Sequence, residues 1–409
     1  MRKYFLTFVF LFLACHVSGA DVPPDNSCLT CHSDMWDDMK TSVHSQHAIY
    51  CNQCHGGDPS QKDKDLAKTP ATGYVGVPDK KQIAQICGGC HADVEKMNFY
   101  GIPTDQLQRY KTSRHGKELF NAGNNKVAVC NDCHTEHDVV PIADPNSPVY
   151  PSNVPKTCNR CHGNEKIMTP FGIPTDIFNK YKGSVHGKAL FEKHDTGVAT
   201  CISCHGSHGA VPPGVKEVAA ACGKCHINEK KNFLESPHAK IEDAAKFNQC
   251  ISCHSNHDIQ PPGLDMYVQA CGRCHAPQTP EFLEGRKIWQ VIKDAQDDLK
   301  ATQGIVKQAG IEGIFVEEDT LVLEEIKTKV FEMGPTQHTL SFAKVNDLYA
   351  QAEGKFKQVR KNIETKRDNL KQRKLFLLPM WLFIFVMAVA LIKKHKQLDA
   401  LREEGKKKE

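Results

Sequence analysis

Nine times between residues 28 and 275 a cysteine pair spaced by two residues is followed at once by histidine. The sets are Cys28, Cys31 and His32; Cys51, Cys54 and His55; Cys87, Cys90 and His91; Cys130, Cys133 and His134; and Cys158, Cys161 and His162. They continue with Cys201, Cys204 and His205; Cys222, Cys225 and His226; Cys250, Cys253 and His254; and Cys271, Cys274 and His275. Zinc sites also use such cysteine pairs, two per metal, but nine is an odd number and zinc gives no reason for the histidine. A disulfide framework leaves the histidines unexplained as well. Covalent c-type haem explains both residues: two thiols add to the vinyl groups and the adjacent imidazole binds iron. The cysteine count then closes on nine haems and no disulfide, with Cys15 the only one of the 19 cysteines outside a motif.

A six-coordinate haem iron needs a second axial ligand. The candidates are His44, His47, His115, His137, His186, His208, His238, His257 and His338. An internal repeat organises them, because residues 87–138 align without gaps with 158–209. Both copies carry a methionine (Met97, Met168), a Gly-Ile-Pro-Thr-Asp, a Tyr-Lys, a Ser-x-His-Gly-Lys and a closing motif with a histidine three residues beyond it. Shorter versions occupy 28–55 and 222–257. The repeat unit is therefore a pair of motifs with a Ser-x-His between them, which supplies two further histidines to each pair. His47 stands in where the first unit lacks the trailing histidine. The unpaired ninth motif is expected to look to His338, with His194 or an open site as the alternatives. The two methionines are expected to pack against haem faces rather than bind iron.

Over 28–275 the chain resembles multihaem c-type cytochromes of the doubled-motif kind, including class III cytochromes and tetrahaem membrane quinol dehydrogenases. The resemblance implies closely spaced haems forming an electron wire, little regular secondary structure and low potentials from bis-histidine ligation. Unlike the quinol dehydrogenases, this sequence carries its apolar anchor near the C-terminus. The lysine-containing motif of haem nitrite reductases does not occur.

The elements that position this chemistry are legible at both ends. Met1-Arg2-Lys3, an apolar run from Tyr4 to Ala14 and the small residues Ser18 and Ala20 read as a signal peptide cut after Ala20, with lipidation of Cys15 as the rival reading. Leu375 to Ile392 is an uncharged apolar run of about 27 Å as a helix, long enough to span a bilayer. Lysine and arginine flank it on both sides, so orientation rests on the signal peptide. Residues 279–374 lack cysteine and show helical periodicity. Ile288, Ile292, Ala295 and Leu299 mark one stripe, and Leu323, Ile326 and Val330 another. Val345, Tyr349, Ala352, Phe356, Val359 and Ile363 alternate steps of four and three as a packing seam.

The expected fold class is mainly α: a haem-packed domain with little regular structure, then a helical hairpin or bundle and one transmembrane helix. The expected order is a signal peptide (1–20), a nonahaem domain of four paired modules plus one haem (21–278), a helical domain (279–374), the span (375–392) and a cytoplasmic tail (393–409). That order places the protein on the outer, periplasmic face of the cytoplasmic membrane. The mean hydropathy of −0.46 excludes a polytopic membrane protein, and a formal charge of +4 gives no basis for nucleic-acid binding. Haem propionates would turn that balance acidic and favour partners with basic surfaces. The expected function is electron transfer between a membrane-bound quinol-oxidising or cytochrome subunit and a soluble or surface redox partner, with no catalytic residue. The alternative is a multihaem reductase of small nitrogen or sulfur oxyanions with one five-coordinate haem.

Overall fold

The computed structural model describes residues 26–211, 220–243 and 246–406, so the signal peptide expected over 1–20 lies outside the described residues. No strand occurs among them, and the fold is mainly α. The chain forms two compact units, one of residues 1–222 with 254–261 and the other of 223–253 with 262–409.

In the first unit regular structure comes in short pieces, because the sequence has few long apolar runs and each motif claims its own turn. The second motif of each module opens its own short helix, at Cys51–His55, Cys130–His134 and Cys201–His205. The residue before the second cysteine caps it. Gln53 Oε1 accepts from the Tyr50 N–H at 2.8 Å, Asp132 Oδ2 from Val129 at 2.7 Å and Ser203 Oγ from Thr200 at 3.0 Å. The first motifs of the second and third modules instead end longer helices, Lys80–His91 and Val154–His162, while that of the first is a short helix of its own, Cys28–Cys31. A small apolar cluster of Ala84, Leu119, Val127 and Val129 holds the second module together.

The second unit contains three long helices. We label them α1 (Pro280–Ile311), α2 (Glu317–Thr336) and α3 (Phe342–Lys406). Thr279 and Pro280 start α1 with a side-chain cap and a residue whose missing N–H costs nothing there. Gly313, at φ +82°, turns the chain into α2, and Leu340, at φ +54°, turns it into α3. The three pack antiparallel about Ile288, Ala295, Val306, Ile326, Met333, Val345, Phe356, Val359 and Ile363, all buried. The stripes read from the sequence supply this core. Ile292, Leu299 and Tyr349 sit at its margin, and the Tyr349 hydroxyl donates to Asp298 Oδ2 at 2.8 Å. Arg360 binds the other oxygen of that carboxylate at 2.7 Å.

Past the bundle α3 continues without a break through Leu375–Ile392, so the apolar run is the upper part of a 65-residue helix, as expected of the last bundle helix. It passes through Pro379, which removes one backbone hydrogen bond without ending the helix. It is the one helix among the described residues long and apolar enough to cross a membrane, and its apolar window is wholly unburied.

Candidate functional site

In the two long repeats the serine builds the Ser-x-His turn. Ser42, Ser113, Ser184 and Ser236 are almost completely buried. Ser113 Oγ accepts from the Gly116 N–H at 3.0 Å and donates to the Tyr110 carbonyl at 2.6 Å; Ser184 repeats both bonds with Gly187 and Tyr181. The serine is there the N-cap of the helix that carries the histidine. The following glycine is forced, since a Cβ on Gly116 or Gly187 would lie about 2 Å from the Tyr110 or Tyr181 carbonyl oxygen. The two tyrosines are held in turn by hydroxyl bonds to the Ala128 and Ala199 carbonyls, at 2.8 and 2.9 Å.

Among the described residues, twelve of the imidazoles come together as six pairs. In one series a Ser-x-His meets the first motif of the module that follows. His44 lies opposite His91, His115 opposite His162 and His238 opposite His275, with ring centres 6.2, 6.2 and 6.0 Å apart. In the other series a trailing histidine meets the second motif of the module before. His137 lies opposite His55, His208 opposite His134 and His257 opposite His205, at 6.3, 6.1 and 6.0 Å. The pairing therefore runs between modules, which the repeat boundaries left open. Backbone bonds fix the register three times over. The Val43 N–H donates to the Val139 carbonyl, Arg114 to Ala210 and Val185 to Ile259, at 2.8, 3.1 and 2.8 Å. The two series also differ in ring angle: 67°, 55° and 47° in the first, and 28°, 13° and 15° in the second.

This spacing tests whether the residues fit haem iron. Two imidazole nitrogens bind one metal from opposite faces at about 2.0 Å each, and each ring centre lies about 1.1 Å further out, so the centres should stand about 6.2 Å apart. All six pairs meet that value. Burial lowers the pKa of His44, His91, His115, His134, His162, His208, His238 and His257, which favours the neutral ring that a metal requires. His55 Nδ1 lies 2.8 Å from the Gly76 carbonyl and His205 Nδ1 3.2 Å from that of Val211, a bond that leaves Nε2 for iron.

The motif sulfurs trace a row. Within modules the first cysteines meet: Cys28 with Cys51, Cys87 with Cys130 and Cys158 with Cys201 are hydrogen-bonded. Between modules Cys54 lies within electrostatic range of Cys87 and Cys90, and Cys133 of Cys158 and Cys161. Six attachment sites thus follow one another through the first unit. In the second unit Cys253 is likewise close to Cys271.

The remaining candidates are placed differently. His186 follows its cap Ser184 as the repeat requires. His338 Nδ1 lies 3.1 Å from the Pro335 carbonyl, and it is His238, not His338, that stands opposite His275. His47 is exposed and lies edge-on to the Tyr100 ring at 4.7 Å. His194 is exposed in the left-handed region at φ +55°, where its repeat mate Gly123 has φ +65°, so it is a turn residue. Met97 and Met168 are buried. The burial of the capping serines and the Gly116 and Gly187 contacts escaped the sequence reading, although Ser-x-x-Gly ahead of a helix is a capping signal.

Six imidazole pairs at iron-bridging distance among nine attachment motifs define a multihaem c-type cytochrome. More narrowly, residues 43–163 match the family model described as Cytochrome c3, a segment that contains four motifs and three complete imidazole pairs. No curated protein and no solved structure matches the chain.

Proposed function

We propose that the protein is a nonahaem cytochrome that carries electrons along a row of mostly bis-histidine centres, on the periplasmic side of a membrane to which α3 anchors it. The observation that carries this reading is the register of imidazole pairs, in which each module completes its neighbour's centres. Bound haem supplies reversible one-electron chemistry, and the chain's own residues fix its spacing, ligation and exposure. His44, His115, His137, His208, His238 and His257 are the distal ligands in this reading, with His186 and His338 as further donors.

The bundle gives the reading a direction. The ninth motif docks at the end of the bundle where α1 and α3 begin: the Tyr267 hydroxyl bonds to Gln337, and Cys271 Sγ lies 3.5 Å from where a Cβ on Gly285 would sit. From that end to Leu375 α3 rises about 50 Å. The bundle is then a spacer that holds the ninth haem well away from the apolar run. A partner that exchanges electrons with it must reach up from the bilayer or approach from solvent, and a membrane-bound quinol-oxidising or cytochrome subunit with a raised haem would serve.

Mass spectrometry of the mature chain, with a haem assay, tests the reading. Nine haems and no unmodified motif cysteine are expected; well under nine haems per chain overturns it. Stoichiometric carbon monoxide binding at an intrinsically open haem would favour the oxyanion-reductase reading instead.

A further inference from the structure

Among the described residues no imidazole stands opposite His32, the exposed motif histidine at the start of the row. What stands there is an amine: Lys68 Nζ lies 3.4 Å from His32 Nε2. Nε2 is the iron-binding atom of a motif histidine, and two ligand nitrogens on opposite faces of one iron lie about 4 Å apart. The Lys68 amine is therefore within a small side-chain movement of the sixth position.

The segment that carries Lys68 is stitched to the first motif. The Ser27 N–H donates to the Pro59 carbonyl at 2.8 Å and Ser27 Oγ to Gln61 at 2.5 Å, immediately before Cys28. Asp63 caps the short helix Lys64–Ala67 that ends at Lys68. The Ala67 carbonyl receives the Asp58 N–H at 2.9 Å and the Thr72 hydroxyl at 3.1 Å. Gly56, at φ +66°, is pressed against this loop so closely that a Cβ would lie 2.0 Å from the Gly73 carbonyl oxygen. These contacts fix the loop backbone beside the motif, while His47, the other candidate of this module, is turned to Tyr100.

We propose that Lys68 supplies the sixth ligand of the first haem, so that the row ends in a histidine–lysine centre instead of a bis-histidine one. The inference deepens the proposed function and rests on its assignment of haem to Cys28, Cys31 and His32. On ligation one N–H bond of the ammonium breaks, its proton passes to solvent and the amine lone pair binds iron; no electron moves. An amine donor on an exposed loop distinguishes this centre from the buried pairs, in potential and in how readily a small ligand displaces it.

The test uses the full-length holoprotein in detergent, with haem attachment verified by peptide mass. The ferric wild-type chain should show no high-spin haem, and its near-infrared magnetic circular dichroism should contain one histidine–amine band beside the bis-histidine bands. Lys68→Ala and Lys68→Arg should each turn one of the nine haems high-spin and add one carbon monoxide per reduced chain. Arginine keeps the charge over Tyr74 but has no lone pair to give. Lys68→His should stay low-spin and lose the amine band. The proposal is overturned if the Lys68 variants match the wild type, if the wild type already has a high-spin haem, or if His47→Ala produces one. Unmodified Cys28 and Cys31 in the wild type would overturn the haem assignment as well, whereas the spin-state difference between the Lys68 variants and the wild type, on a chain with nine haems, bears on Lys68 alone.

Discussion

At the scale of single residues, the two series of imidazole pairs make separable predictions. Rings lying within 28° of each other split the iron d orbitals that point between them, and rings crossed at 47° or more leave those orbitals close in energy. The ferric protein should therefore give two classes of low-spin electron paramagnetic resonance signal, a rhombic one from the near-parallel pairs and one with a larger highest g value from the crossed pairs. His137→Ala should remove intensity from the rhombic class and His115→Ala from the other, each adding one high-spin haem. Loss from the same class in both variants would show that the inter-module register is wrong. The motifs stand out in the sequence because covalent attachment demands a contiguous pattern, and the proposed proximal histidines come with them. The distal partners were not. His137 and His55 are 82 positions apart, and only the chain path that puts Val139 against Val43 decides that they meet.

At the scale of elements, the Ser-x-His-Gly turn is where local geometry controls a metal site. Ser113→Ala removes one cap and should cost about 1 kcal/mol. Gly116→Ala forces a methyl against the Tyr110 carbonyl, a clash of backbone with backbone that has no flexible end to yield, so a cost of about 3 kcal/mol is expected. Because the same turn aims His115 at His162, Gly116→Ala should also raise the high-spin fraction by one haem, whereas Ser113→Ala should not. Thermal denaturation and the ferric spectrum of the two variants check this. Equal destabilisation by both, with no change of spin state, would sink the assignment of the turn as the aiming device. The repeat made the glycine visible as a recurring letter, but its reason is a contact with a carbonyl six residues back, which no periodicity reports.

For the whole molecule, the bundle was the most legible part, since Val345, Ala352, Phe356, Val359 and Ile363 bury the seam their spacing suggests. The pattern also has the last bundle helix run on into the apolar run, as α3 does, but it could not show that the ninth motif sits at the opposite end. The consequence is a distance. Glu284 of α1 accepts from the Phe342 N–H at 3.1 Å, and Lys344 binds Glu235 at 2.6 Å, so the base of α3 is tied to the segment that carries His238. The apolar run begins at Leu375, some nine helical turns further on. Under the proposed function, a haem held between His238 and His275 is beyond tunnelling range of a quinol dissolved in the bilayer when α3 stands upright in it, and the ion pairs Arg367–Glu312 and Lys366–Asp319 tie α3 to the rest of the bundle. Reconstituted alone into vesicles that contain a reduced lipid-soluble quinone, the protein should stay oxidised, and a water-soluble mediator added afterwards should reduce it within mixing time. Prompt reduction by the bilayer quinol alone would show that a haem reaches the membrane surface, and would remove the need for a bridging partner subunit.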